Sequence, residues 1–163
     1  MKKIPLTKGK FALVDNEDYE QLMSMGKWHI GSNGYAQKTV YIGTKNGKRS
    51  TTSILMHRVI LGMSDPTEQG DHADGNRLNN TRINLRKCSA IENLRNVGVR
   101  RCNTSGFKGV EWHKHAKKWG VRIRTCKGAR KHIGLFTCPV EAAKAYNEAA
   151  IKYHGEFAKL NKI

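Results

Sequence analysis

Negative charge is scarce in this chain. Of 163 residues, 13 are Asp or Glu against 30 Lys or Arg, a formal net charge of +17 with a pI near 10.0. Such an excess repels itself within the free chain and attracts a polyanion, and nucleic acid is the commonest polyanion. An anionic membrane surface is the other candidate, but no apolar run approaches the roughly 20 residues that span a bilayer. Lys2 and Lys3 are not followed by an apolar stretch, so no secretory signal is expected, and an intracellular, reducing setting is the default expectation. Cysteine pairs are also missing. Cys88, Cys102, Cys126 and Cys138 form no Cys-x-x-Cys, and their spacing matches no zinc finger or ribbon. Cys88 or Cys102 with His113 and His115 is a weaker zinc alternative to four ordinary thiols. Low-complexity tracts and repeats are absent.

What charge there is lies unevenly. Residues 1–99 carry 15 basic and 9 acidic side chains, whereas residues 100–163 carry 15 and 4. The C-terminal third is therefore the stronger polyanion binder. Residues 1–54 alternate as short strands, FALVD, GYAQKTVYI and STTSILM, with a hairpin turn at Asn46-Gly47. One short helix is expected over Glu17 to Met25, and the region is read as a small β-rich scaffold. HRVILGM fits either a strand end or a short helix. The segment from Asp65 to Asn96 is dense in Asp, His, Asn and Arg, so its order must come from hydrogen bonds or a bound ion. VGVRRCNTSG reads as a basic linker. Three strands and one long helix, from Pro139 to just before Gly155, complete the chain.

Phosphodiester hydrolysis needs a base to deprotonate water and a dication to stabilise charge on phosphate and leaving oxygen. Asp71-His72 places a hard oxygen ligand beside an imidazole at a strand end. Gly75-Asn76 turns the chain, and Ile83-Asn84-Leu85-Arg86 is expected as the returning strand, with Ile83 and Leu85 on one face. Ser89-Ala90-Ile91-Glu92 is a capping-box pattern that should start a helix through about Asn96, its Ile91 and Leu94 positioned to pack on Ile83 and Leu85. Asp71, His72, Asn84 and Asn93 would converge between hairpin and helix. His57, in an apolar run, is read as packing or loop bracing.

With Leu55-Met56-His57-Arg58 upstream, then Asp74-Gly75-Asn76, Asn79-Asn80, Asn84-Leu85-Arg86 and Glu92-Asn93, residues 55–96 resemble the HNH, or ββα-metal, motif of phage and homing endonucleases. The resemblance implies His72 as general base and Asn84 as the residue bracing the loop and orienting His72. It implies Asp71 and Asn93 as ligands of a divalent metal, Mg²⁺ by its preference for few protein oxygens. Many relatives place histidine at the Asn93 position.

In the C-terminal segment Val121 and Ile123 alternate with Arg122 and Arg124, so the apolar pair should face the helix and the arginines solvent, joined by Arg130 and His132. Small residues at Ala142, Ala143, Ala145, Ala149 and Ala150 let the helix lie close to the sheet. Lys108-Gly109-Val110, Trp119 with Val121-Arg122-Ile123-Arg124, Ile133-Gly134-Leu135-Phe136, Glu141-Ala142-Ala143 and Ala145-Tyr146 make residues 106–161 similar to the APETALA2/ethylene-response-factor DNA-binding domain. That likeness implies major-groove contact by the sheet face through Lys108, Arg122, Arg124, Arg130 and His132, and backbone contact by Tyr146. Glu111 and His132 depart from the plant pattern, so no sequence preference carries over.

The expected protein is α+β: a β-rich scaffold (1–54), an HNH nuclease motif (55–97), a basic linker (98–105) and a three-stranded antiparallel sheet packed on one helix (106–163). It would hydrolyse double-stranded DNA without membrane or obligate protein partner, in a bacterial cytoplasm if phage-encoded. The rivals are a DNA-binding regulator with an inactive HNH segment, and an RNA-binding protein.

Overall fold

A computed structural model describes residues 1–125 and 128–163. Cys126 lies outside the described residues, and Cys88, Cys102 and Cys138 are not in disulfides. The architecture is mixed α+β, with four small antiparallel sheets and four α-helices among the described residues. No helix among those residues is long and apolar enough to cross a membrane. The chain divides into two compact units, Met1–Cys88 and Ser89–Ile163.

In the first unit β1 (Lys2–Pro5) pairs with β2 (Phe11–Val14), and alternation buries Ile4, Ala12 and Val14 on one side. β1 was not legible in the sequence, because only Ile4 of its four residues faces inward. Helix α1 (Asn16–Ser24) adds Leu22 to that side, and the Trp28 indole donates to the Leu22 carbonyl at 2.8 Å. A second sheet joins β3 (His29–Ile30), β4 (Ala36–Lys45) and β5 (Lys48–Leu55). Its hairpin turns at Asn46-Gly47, whose φ angles of 54° and 72° are those of a tight two-residue turn. HRVILGM resolves as helix: α2 (Met56–Ile60) buries Met56, His57 and Ile60. The hairpin of β6 (Gln69–His72) and β7 (Leu85–Cys88) then brings Leu85 into the core with Ile4, Val14, Leu22, Trp28 and Met56.

Residues 83–86 were expected to form one strand with Ile83 and Leu85 inward. Instead β7 starts at Leu85 and Ile83 is 90% exposed. The amides of Asn84 and Leu85 both donate to the Thr81 carbonyl, at 2.9 and 3.0 Å, which closes a turn that puts Ile83 on its outer side.

The second unit opens with α3 (Ala90–Asn96). Ser89 accepts from the Glu92 amide at 3.3 Å while the Glu92 carboxylate accepts from the Ser89 amide at 2.8 Å, completing the capping box. Strands β8 (Val110–His113), β9 (Lys118–Arg124) and β10 (Arg130–Phe136) form a sheet in the order β10-β9-β8, and α4 (Pro139–His154) covers one face. Val110, Val121 and Ile123 meet Ala142, Ala143, Tyr146, Ala149 and Ala150 there, with Ala145 half-buried at the margin. Small side chains bring α4 so near that Gly109, at φ 76°, has the Tyr146 ring where a Cβ would sit. Gly109→Ala combines a left-handed backbone with that clash. It should lower the stability of the second unit by about 2 kcal/mol or more, read as an abolished or lowered thermal transition, while Gly98→Ala, in open space, should change it little.

Candidate functional site

The polar segment between β6 and β7 is ordered by its own hydrogen bonds. Asn84 donates through Nδ2 to Asp74 Oδ1 at 3.0 Å and to the Asn79 carbonyl at 2.7 Å, and its Oδ1 accepts from the Asp74 amide at 3.0 Å. Asp74 also accepts from the Asn76 amide at 2.7 Å and from Asn79 Nδ2 at 2.8 Å. Partial burial pushes the Asp74 carboxyl up, but the bonds from Asn79, Asn76 and Asn84 outweigh it and hold the group below the usual carboxylate value. The loop is fixed to the scaffold as well. The Leu13 amide donates to the Leu78 carbonyl at 2.8 Å, and the Asn80 amide to the Leu13 carbonyl at 2.7 Å. Arg82 grips the buried Asp18 carboxylate through Nε and a terminal nitrogen at 3.0 and 2.6 Å. This link, 64 residues apart in sequence, left no local signal.

Asp71 and His72 are the last two residues of β6, and both are buried. Asp71 stands opposite Arg86 in the ladder, whose Nε and terminal nitrogen both donate to Asp71 Oδ2, at 3.0 and 2.7 Å. His72 is only 3% exposed, with Nε2 3.3 Å from Asn80 Oδ1. With Nε2 donating to that oxygen, the basic lone pair is on Nδ1. Burial lowers the His72 pKa below the ordinary 6.5, against the opposing pull of Asn80, Asp74 and Asp71.

Two aromatic neighbours that the sequence did not single out as part of the site close around His72. His57 lies edge-on at 5.2 Å between ring centroids, and Tyr35 at 5.7 Å, with the two themselves 5.2 Å apart. The Arg77 guanidinium sits 4.8 Å over the Tyr35 ring. The sequence expectation for His57 is packing or loop bracing; the residue is buried, and its ring packs on His72. Its Nδ1 is buried without a hydrogen-bond partner, a cost an aliphatic side chain would not carry.

Asn93 is half-buried on α3 of the second unit, and its backbone amide bonds the Ser89 carbonyl at 3.0 Å. On the sheet of that unit Arg124 pairs in register with Arg130, and Arg122 with His132. All four are exposed on the side away from α4, and Glu111 pairs with Arg122 there at 3.0 Å. Two residues expected to contact DNA are engaged inside the unit. The Lys108 ammonium donates to the Arg95 and Val97 carbonyls at the end of α3, and burial, with Lys159 adding, pushes it down to about 8. Tyr146 is 3% exposed under Gly109, and burial pushes its hydroxyl up to about 12.

No family model matches the chain. An uncharacterized HNH endonuclease of Acanthamoeba polyphaga mimivirus is 30% identical over 157 residues, which cover 96% of this chain and 77% of the viral protein. This chain belongs to the HNH endonuclease family. Protein 3.8 of Escherichia phage T7 is 34% identical over 89 residues, 55% of this HNH chain and 72% of the phage protein. APETALA2-like protein 2 of Oryza sativa subsp. indica is 41% identical over 59 residues, 36% of this chain but only 13% of the plant protein.

Burial, then the neighbouring His72 and Arg58, hold the His57 pKa down at about 4. A histidine whose folded value lies below its unfolded 6.5 takes up a proton on unfolding. Its neutral form therefore supports the fold fully above 6.5, and that support is lost as pH falls towards 4. By linkage the loss is about 3 kcal/mol. Thermal melts of wild type should drop across this window, and His57→Phe should drop much less.

Proposed function

We propose that the chain is a divalent-metal-dependent DNA endonuclease in which His72 takes the proton from the attacking water. The observation that carries this is the buried imidazole of His72, with Nε2 3.3 Å from Asn80 Oδ1 and the ring flanked by His57 and Tyr35, its pKa lowered by burial. In this assignment β6, β7 and α3 are the two strands and helix of a ββα-metal motif within residues 55–97. Residues 1–54 are the scaffold, 98–105 a linker and 106–163 the APETALA2-like DNA-binding domain.

Asp71 and Asn93 are the residues that would hold the cation. Both offer hard oxygen, one through a carboxylate and one through a carboxamide. That donor set fits Mg²⁺, which keeps several waters and substrate oxygens. When bound, such an ion neutralises charge building on the phosphate and the departing 3′-oxygen. The rest falls to this chain's side chains. His72 accepts the water proton, Asn84 keeps the 74–79 loop from moving away from it, and Arg86 fixes the Asp71 carboxylate. Arg122, Arg124, Arg130 and His132 give affinity and register on duplex DNA, with Lys108 and Tyr146 supporting that face from within. The likeness to a phage protein accords with work inside a bacterial host. A DNA-binding regulator would need none of Asp71, His72, Asn84 and Asn93 together.

His72→Ala should slow single-turnover nicking of duplex DNA by a factor on the order of 10² or more and leave affinity within a few-fold of wild type. Near-wild-type cutting by this variant would remove His72 as the base. Since its pKa is lowered, the acid limb of the wild-type rate profile should lie below pH 6.5. Asp71→Ala and Asn93→Ala should each raise the Mg²⁺ concentration giving half-maximal rate; an unchanged titration removes that residue as a ligand.

Arg122→Ala/Arg124→Ala/Arg130→Ala should weaken duplex binding and flatten the plot of log affinity against log salt by about 0.9 for each phosphate that is no longer neutralised. Unaltered affinity at moderate salt would move the main anchor out of the second unit.

A further inference from the structure

The first unit carries a hairpin that its core does not need. β3 pairs with β4 only at Ala36 and Gln37, so from Lys38 to Ile54 strands β4 and β5 pair with no other strand among the described residues. No residue from Gln37 to Leu55 is buried. The paired ribbon extends about 25 Å beyond its root at ~3.4 Å per residue, whereas an isolated two-stranded hairpin is marginal in water. A small sheet gains nothing from such an extension unless something is laid against it.

The composition of the ribbon says what that partner is. Residues 36–55 hold Lys38, Lys45, Lys48 and Arg49 and no acidic residue. Lys38 is tied at the root to the Met25 carbonyl, which leaves Lys45, Lys48 and Arg49 at the exposed tip. One face is a run of hydrogen-bonding groups: Thr39 opposite Ser53, Tyr41 opposite Thr51, and Thr44 opposite Arg49. Tyr41 is 50% exposed; its hydroxyl lies 2.9 Å from Thr44 Oγ1 and its ring under Arg49 at 5.0 Å. A register shift between Tyr41 and Gly43 interrupts the ladder midway, and bulges of this kind bend and twist a ribbon. Hydroxyls and a guanidinium on a narrow cationic ribbon match the major groove of B-form DNA, which is about 12 Å wide and admits two strands.

We propose that the β4–β5 ribbon is a second DNA-docking element, one that enters the major groove of the duplex and is separate from the sheet face of the second unit. This rests on duplex DNA being the substrate. The ribbon then engages DNA through the catalytic unit itself, and the C-terminal domain is not the sole anchor.

The test uses the full chain in chelator, so that binding is read without cleavage. The probe is a mixed-sequence 30-base-pair DNA duplex, followed by fluorescence anisotropy over a salt series. Lys45→Ala/Lys48→Ala/Arg49→Ala should weaken binding about tenfold at moderate salt and flatten the salt plot by about 2–3. Thr39→Val/Thr51→Val, which keeps strand-forming side chains, should weaken it several-fold with the slope unchanged. Lys3→Ala/Lys10→Ala/Lys27→Ala removes the same charge from exposed positions of the same unit outside the ribbon and should have a much smaller effect. Melting temperatures should match wild type throughout, because none of these side chains is buried. Equal losses in the ribbon and control triples would reduce the effect to net charge and overturn the proposal, as would unchanged binding by the ribbon triple. An equal ribbon-dependent loss on an A-form RNA duplex, whose deep narrow major groove side chains cannot read, would overturn groove entry. Because no turnover is measured, these results stand apart from whether His72→Ala abolishes cutting.

Discussion

The hydrogen bonds of the Asn84 side chain hold together the polar loop between β6 and β7. The segment from Ala73 to Asn84 has Leu78 and Ile83 as its only bulky apolar residues, and Ile83 points to solvent. Hydrophobic burial cannot shape such a loop. Asn84 closes it with three bonds to Asp74 and Asn79, and Asp74 draws Asn76 and Asn79 inward. Each such bond contributes about 1 kcal/mol, and together they favour the closed loop. Asn80 is thereby delivered to His72, and Asp71 and His72 sit at a fixed strand end facing a fixed return.

The scaffold of the first unit is subordinate to that loop. β2 lends Leu13 as a backbone partner to Leu78 and Asn80, and α1 contributes Asp18 as a buried anchor for Arg82. α2 and the segment before β4 supply His57 and Tyr35 to flank the His72 ring. In the proposed role of base, an imidazole enclosed in this way loses little entropy on reaching a reactive geometry, and burial lowers its pKa. The second unit obeys a different constraint. Its alanine-lined helix lies close on a three-stranded sheet, which frees the opposite face for cations.

Local periodicity made much of this legible. Strand alternation placed Val121 and Ile123 inside and Arg122 and Arg124 outside; Asn46-Gly47 gave a hairpin turn, and Ser89 with Glu92 gave a helix start. Asp71-His72 at a strand end followed from residue types and spacing. What the sequence concealed was non-local. Nothing near Arg82 announces Asp18, and His57 lies in an apolar run that hides its contact with a second histidine. Ile83 misled because alternation was extended through a residue that the Thr81 turn faces outward. Lys108 carries the charge of a DNA contact, but its ammonium ends on helix carbonyls that no linear pattern reveals.

The proposed reaction is hydrolysis of DNA by water, with a divalent metal, and departure of the 3′-oxygen. It is tested most directly by incubating supercoiled plasmid with the intact protein in Mg²⁺ or in chelator, then treating the product with DNA ligase. Relaxed or linear plasmid should form only in Mg²⁺, and ligase should reseal its nicks because each carries a 3′-hydroxyl and a 5′-phosphate. Cutting that persists in chelator, or nicks that ligase cannot reseal, would rule out metal-dependent hydrolysis with departure of the 3′-oxygen.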